Sequence, residues 1–193
     1  MNMNSLYYTK HHTAFIEDTF YCDMHSQYEL FLKYMKKNGS ILDLGFGSGR
    51  DLFYFSSLGY KVSGIDPTEV FVEKMLLEGF DVKNETAQSM NFENEFDGIW
   101  ACASLLHVPK NELTSTFQNC EKALKQEGIL YCSFKFGNKE EERNGRRFTD
   151  LNELLLQEYI NKTNLKIMEI HISKDVRKDR SNEKWLNCVL KKV

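Results

Sequence analysis

Apolar positions along this chain recur in two rhythms, one helical and one of short continuous or alternating runs, and the two rhythms take turns. Over 18–36, Phe20, Met24, Tyr28, Phe31, Leu32 and Met35 lie near helical spacing and Asn38-Gly39 supplies a stop, which predicts a helix. The run 40–44 is short, apolar and followed by glycines, and 50–58 then repeats Leu52, Phe53, Phe55 and Leu58 at helical spacing before Gly59. Strand, tight loop and helix are expected in that order. The alternation continues with a strand at 61–65, a helix at 68–78, a short strand at 81–84, a buried strand at 96–101, a helix at 111–124 and a strand at 129–134. A charged stretch, 139–147, reads as a loop, and 149–161 as a helix with Leu151, Leu154, Leu155 and Tyr159 on its apolar face. The last runs, 165–172 and 185–190, alternate like strands with no helical pattern between them, so an antiparallel pair is expected.

Strands separated by helices imply parallel crossovers. The expected fold is α/β, a three-layer, doubly wound, seven-stranded sheet whose last two strands form an antiparallel hairpin. No repeat, low-complexity tract or linker interrupts the chain, so one domain is expected over 1–193, with 1–39 as a helical segment ahead of the first strand. In such sheets the ligand binds beyond the carboxyl ends of the strands, where the winding direction reverses.

Composition narrows the class. The 193 residues are 41% apolar and 27% charged, typical of a globular chain with a real core. The net charge of -3 supplies no global field for gathering nucleic acid, although a local basic patch remains open. No apolar run approaches the roughly 20 residues of a membrane helix, and 1–10 is polar, so a cytoplasmic protein is expected. Cys22, Cys102, Cys120, Cys132 and Cys188 are scattered singly, which argues for reduced thiols and against a zinc knuckle. His11, His12 and His25 lack further ligand spacing and read as surface residues, so no metal is expected.

The chemistry concentrates in Asp43-Leu44-Gly45-Phe46-Gly47-Ser48-Gly49-Arg50, where glycines alternate between a strand and a helix. Glycine tolerates positive φ and leaves no Cβ, so a ligand can approach bare amides at a helix start. The next strand ends in Gly64-Ile65-Asp66, which puts a carboxylate where a ribose diol could donate to it. A P-loop would need Gly-Lys-Ser/Thr where Gly49-Arg50-Asp51 stands, and a dinucleotide site would place its third glycine one residue later. An adenosine ligand without a pyrophosphate remains, beside the plainer reading of a strand-to-helix turn.

With these motifs the chain resembles the class I S-adenosylmethionine-dependent methyltransferases. The resemblance implies that the backbone of the motif with Asp43, Gly45, Gly47 and Gly49 approaches the methionine part of the cofactor, that Arg50 beside it also binds the cofactor, and that Asp66 holds the ribose. It further implies that Pro67 borders the adenine, that Ala87, Gln88 and Ser89 lie across it, and that Ala101 and Cys102 flank the site. Phe46 departs from the small residue usual at its position. The stretches 97–109 and 123–130, with Gly145-Arg146-Arg147-Phe148 and Trp185-Leu186-Asn187, look like the small tellurite-resistance-type branch of that family. Gln126-Glu127 departs from its usual turn.

Methyl transfer needs an aligned acceptor and a route for its proton, and a strong base is optional. Ser104 and His107, after the fourth strand, are the candidates to meet the acceptor. His107 suits a general base by its ordinary pKa of about 6.5, or equally a loop-stabilising residue. Cys102 reads either as a soft ligand for a metalloid or as a buried core thiol. Arg146 and Arg147 could fork onto an anionic acceptor or form a solvated loop, and 175–180 invites the same two readings. Tyr7, Tyr8, Phe15 and Phe20 belong to a segment that in this family often folds over the cofactor, or that packs on the sheet edge. No Asn/Asp-Pro-Pro-Tyr follows the fourth strand and no Pro-Cys pair occurs, which disfavours the base-methylating families that carry them. The expected activity is methyl transfer from S-adenosylmethionine, leaving S-adenosylhomocysteine, to a small molecule or metalloid by a monomer or homodimer. The alternatives are methylation of tRNA or another nucleic acid, and a non-catalytic cofactor-binding partner protein.

Overall fold

A computed structural model gives the fold and describes residues 3–177, 180 and 182–193. The strands are β1 (Ser40–Leu44), β2 (Lys61–Asp66), β3 (Asp81–Asn84), β4 (Phe96–Ala101), β5 (Leu124–Lys135), β6 (Glu140–Arg143), β7 (Arg146–Thr149), β8 (Leu165–Lys174) and β9 (Lys184–Lys192). The helices are α1 (Met3–Thr19), α2 (His25–Leu32), α3 (Arg50–Ser57), α4 (Glu69–Leu77), α5 (Lys110–Ala123) and α6 (Glu153–Ile160). Seven strands form one sheet in the order β3-β2-β1-β4-β5-β9-β8. The first five are mutually parallel, and β9 runs antiparallel to both β5 and β8, as the alternating runs predicted.

The sheet buries both faces, which explains why its central strands are near-continuous apolar runs. Along β1, β4 and β5, Ile41, Trp100 and Tyr131 face α2 and α3, while Leu42, Ile99 and Leu130 pack with Leu113 and Phe117 of α5 and Leu156 of α6. Trp100 stacks on Tyr131 with ring centres 4.1 Å apart. The winding reverses between β1 and β4, so the crevice opens beyond Leu44 and Ala101.

Three expectations need correction. Of the helix expected over 18–36 only α2 (His25–Leu32) forms, starting where Asp23 Oδ1 accepts from His25 N at 2.9 Å, and residues 18 and 19 instead end α1. α1 begins far earlier than expected: it carries no strong apolar stripe, and of its residues only Ser5 is buried. The charged loop 139–147 is a hairpin, β6 paired with β7, closed by Asn144-Gly145 with φ of 52° and 75°. Two consecutive positive φ values make the type I′ turn that suits twisted strands. The helix expected at 149–161 starts only at Glu153, after Asn152 Oδ1 accepts from Leu155 N at 3.0 Å.

Candidate functional site

The turn after β1 carries the site. Gly45 N donates to Ile65 O at 2.7 Å, and a Cβ on Gly45 would stand 2.3 Å from Ser104 Oγ, so only glycine lets the two crossing loops meet. Gly47, at φ +51°, presents its face to the Phe15 ring. Gly47 N donates to Asp66 Oδ2 at 3.0 Å and Thr68 N to Oδ1 at 2.8 Å. Burial raises the Asp66 pKa to about 6 and outweighs these two amides, which pull it down. A carboxylate has roughly four lone-pair sites, and with the Thr68 side chain also contributing, acceptor capacity is still left for a ligand.

A cleft of about 300 Å³ extends from this loop across the ends of β4 and β5. The Phe46 ring packs against Gly64 with Leu52, Phe71 and Val82, so the departure at this position fills the core beside the cleft and leaves the cleft open. α1 lies across the opening. Ser5 Oγ donates to Pro67 O at 2.9 Å, Asn4 Oδ1 accepts from Arg147 N at 2.8 Å, and Phe15 covers Gly47. Tyr8 reaches His107.

The His107 ring has a defined state. Its Nδ1 lies 2.7 Å from Arg147 O, an atom that only accepts, so Nδ1 carries the proton and Nε2 accepts from Tyr8 Oη at 2.9 Å. Burial lowers its pKa to about 4, so it is neutral at pH 7. The Cys102 thiol moves the other way: burial, helped by Asp51, pushes it up to about 12. It stays a thiol at neutral pH, which removes the thiolate that a soft ligand would need.

Of the residues expected at the site, Gly45, Gly47, Arg50, Asp66, Pro67, Ala87, Gln88, Cys102, Ser104, His107 and Arg146 line the cleft. Asp43, Gly49, Ser89, Ala101, Tyr7 and Arg147 do not. Asp43 is buried beneath the loop, Gly49 packs on Met75 Sδ, and Ala101 is enclosed in the strand end. Ser89 closes a local turn onto Thr86. Tyr7 stacks behind Arg146 at 4.6 Å, and Arg147 turns outward to Glu140 at 3.2 Å. Lys178 and Asp179 of the 175–180 loop lie outside the described residues.

The sequence reading missed the partners of two acids. Asp51, buried at the start of α3, accepts from Tyr28 Oη, from Arg50 Nε at 2.7 Å and Nη2 at 2.9 Å, and from Trp100 Nε1 at 2.8 Å. Its place beside Arg50 was visible, but nothing local announces Tyr28 and Trp100. Across the cleft, Asp175 accepts from Lys135 Nζ at 2.9 Å, Trp185 Nε1 at 3.0 Å and the Arg177 fork. Burial opposes ionisation there, yet Arg177 and Lys135 hold the Asp175 pKa well below the usual carboxylate range. Among the described residues, no three His, Cys, Asp or Glu side chains converge as metal ligands would, and no helix is long and apolar enough to cross a membrane.

Residues 41–128 match the family model described as a methyltransferase domain. A curated relative, "Putative methyltransferase YqeM" of Bacillus subtilis (strain 168), is 28% identical over 127 residues, covering 58% of this chain and 51% of the relative. The match thus takes in about half of that protein's length. Among solved structures, the Burkholderia thailandensis 1,6-didemethyltoxoflavin-N1-methyltransferase, bound to 1,6-didemethyltoxoflavin and S-adenosylhomocysteine, superposes with a TM-score of 0.77 at 16% identity, covering 99% of this chain and 88% of that one. The [4+2]-cyclase SpnF does so with a TM-score of 0.70 at 15% identity over 97% and 94%. This chain therefore has the Rossmann-like fold of the class I S-adenosylmethionine-dependent methyltransferases, and its own glycine turn and Asp66 lie at the reversal crevice of that fold.

Proposed function

We propose that the chain is a methyltransferase that uses S-adenosylmethionine to methylate a small acceptor by in-line displacement. The observation that carries this reading is the open crevice between the glycine turn and Asp66, covered by α1. The residues present fit the cofactor: bare amides at the turn, a carboxylate with acceptor capacity left, and the apolar sides of Ile65, Ala87, Leu106 and Val108 along the cleft. When bound, it supplies an electrophilic methyl group on a sulfonium and leaves as S-adenosylhomocysteine.

The protein's own contribution is alignment and exclusion of water. Alignment can supply on the order of 7 to 11 kcal/mol of a barrier, so no strong base is required. His107 is then a positioning residue, since its free nitrogen is committed to Tyr8 and its basicity is low. A cleft roofed by a helix suits a small molecule better than a nucleic acid, which needs an open track for its backbone. We read 1–193 as one working unit, cytoplasmic, with α1 as its lid.

Because the same fold also serves a cyclase, transfer itself must be measured. Labelled S-adenosylmethionine offered with tellurite, selenite, small thiols, amines and bulk tRNA should place label on a small acceptor. Label appearing only in tRNA would replace that choice with the nucleic-acid alternative, and binding without transfer to any acceptor would favour a cofactor-binding partner protein.

A further inference from the structure

The arginines of the cleft are not alike. Three of them fork onto an aspartate: Arg50 onto Asp51, Arg177 onto Asp175, and Arg143 onto Asp150 through Nη1 at 3.0 Å and Nη2. Arg146 lines the same cleft and has no ion pair among the described residues. Its Nε is buried with no acceptor, and Nη1 has only a long contact of 3.4 Å to Tyr8 Oη.

A guanidinium with a buried, unpaired N–H is costly, and because Nε lies out of reach an acceptor in the cleft would meet the Nη groups. The ring faces of Tyr7, Phe148 and Tyr8, at 4.6, 5.1 and 5.8 Å from its central carbon, fix the plane and strip water from it. They stabilise the cation without offering an acceptor in that plane. What fits is a planar or tetrahedral oxyanion, which an arginine fork binds bidentately.

We propose that the methyl acceptor carries an anionic oxygen group and that Arg146 holds it, beside Tyr8. The proposal rests on the methyltransferase reading for the word acceptor, while the anion site itself stands on the Arg146 geometry. It separates the two arginines that the sequence leaves equivalent, because Arg147 is exposed and already paired with Glu140.

Calorimetric titration of the full chain at pH 7.5, with and without saturating S-adenosylhomocysteine, tests it with benzoate, phenyl phosphate and selenite, and with benzamide as the uncharged match. At least one anion should bind at least tenfold more tightly than benzamide, and the anion that does so identifies carboxylate, phosphate or metalloid as the source. Arg146→Gln should weaken that anion at least tenfold, Arg146→Lys should weaken it less, and S-adenosylhomocysteine affinity should change by less than twofold in both. Anion binding that survives in Arg146→Gln, or anions no better than benzamide, would overturn the proposal. A protein that binds no S-adenosylhomocysteine but keeps Arg146-dependent anion binding would refute the methyltransferase reading and leave the anion site standing.

Discussion

Asp66 and His107 are both displaced from their ordinary pKa values by burial, in opposite directions, and each makes a measurable demand on pH. Asp66 titrates near 6, so its carboxyl loses acceptor capacity as pH falls through that value, and S-adenosylhomocysteine should bind more weakly at pH 5 than at pH 7.5. A dissociation constant flat across that range would remove Asp66 from the ligand. Asp66→Ala should weaken the same binding by about 1 to 3 kcal/mol, the loss of charge-assisted hydrogen bonds. For His107, with its pKa lowered from 6.5 to about 4, the unfolded chain takes up protons first on acidification. Its contribution to stability is therefore present above 6.5 and lost as pH falls towards 4. Urea midpoints of wild type and His107→Gln should differ in slope over that window, wild type falling more steeply, even though Asp66 works in the opposite sense in both proteins. Equal slopes would mean that His107 is not held neutral.

Among the elements, α1 is held over the cleft by polar contacts through Asn4, Ser5 and Tyr8 and by Tyr8, Phe15 and Ile16 packed against Phe71 and its neighbours. Removing one of the polar contacts should loosen it selectively. Tyr8→Phe deletes the donor to His107 Nε2 and leaves that nitrogen unsatisfied, a local cost of about 1 to 3 kcal/mol. Amide hydrogen exchange should speed up in α1 and in 105–107 while β1, β4 and β5 keep their protection; uniform speeding would show that α1 is part of the global core and not a lid. The β6–β7 hairpin shows why such elements were illegible. Its turn pair Asn144-Gly145 is a strong hairpin signal, yet its strands are mostly charged, so the hydrophobic rhythm that identifies strands is missing. The expected helical segment over 1–39 was right in kind, but the bounds of α1 were missed for the same reason.

For the molecule as a whole, stability should depend most on the aromatic stack at the centre of the sheet. Trp100→Ala removes a fully buried ring that stacks on Tyr131 and donates to Asp51, and a loss of about 3 to 5 kcal/mol is expected in urea unfolding. A loss under 1 kcal/mol would mean the stack is dispensable. The strands from Ser40 to Ala101 were legible nearly to the residue, because β1 and β4, buried on both faces, must be apolar and turn residues mark the strand ends. The glycine turn and Asp66 were legible for a related reason: a close backbone approach leaves a compositional trace within about 20 residues. By contrast, Tyr8 and His107 are 99 positions apart and Arg146 and Tyr8 are 138 apart. No local rhythm records contacts of that kind. The sequence by itself determined the sheet, its winding and where a nucleoside could lie. Only the tertiary structure decided that Asp51 and Asp175 would neutralise their neighbours, that α1 would roof the cleft and that Arg146 would be left with an unused donor, because charge pairing is settled by which side chains meet in space.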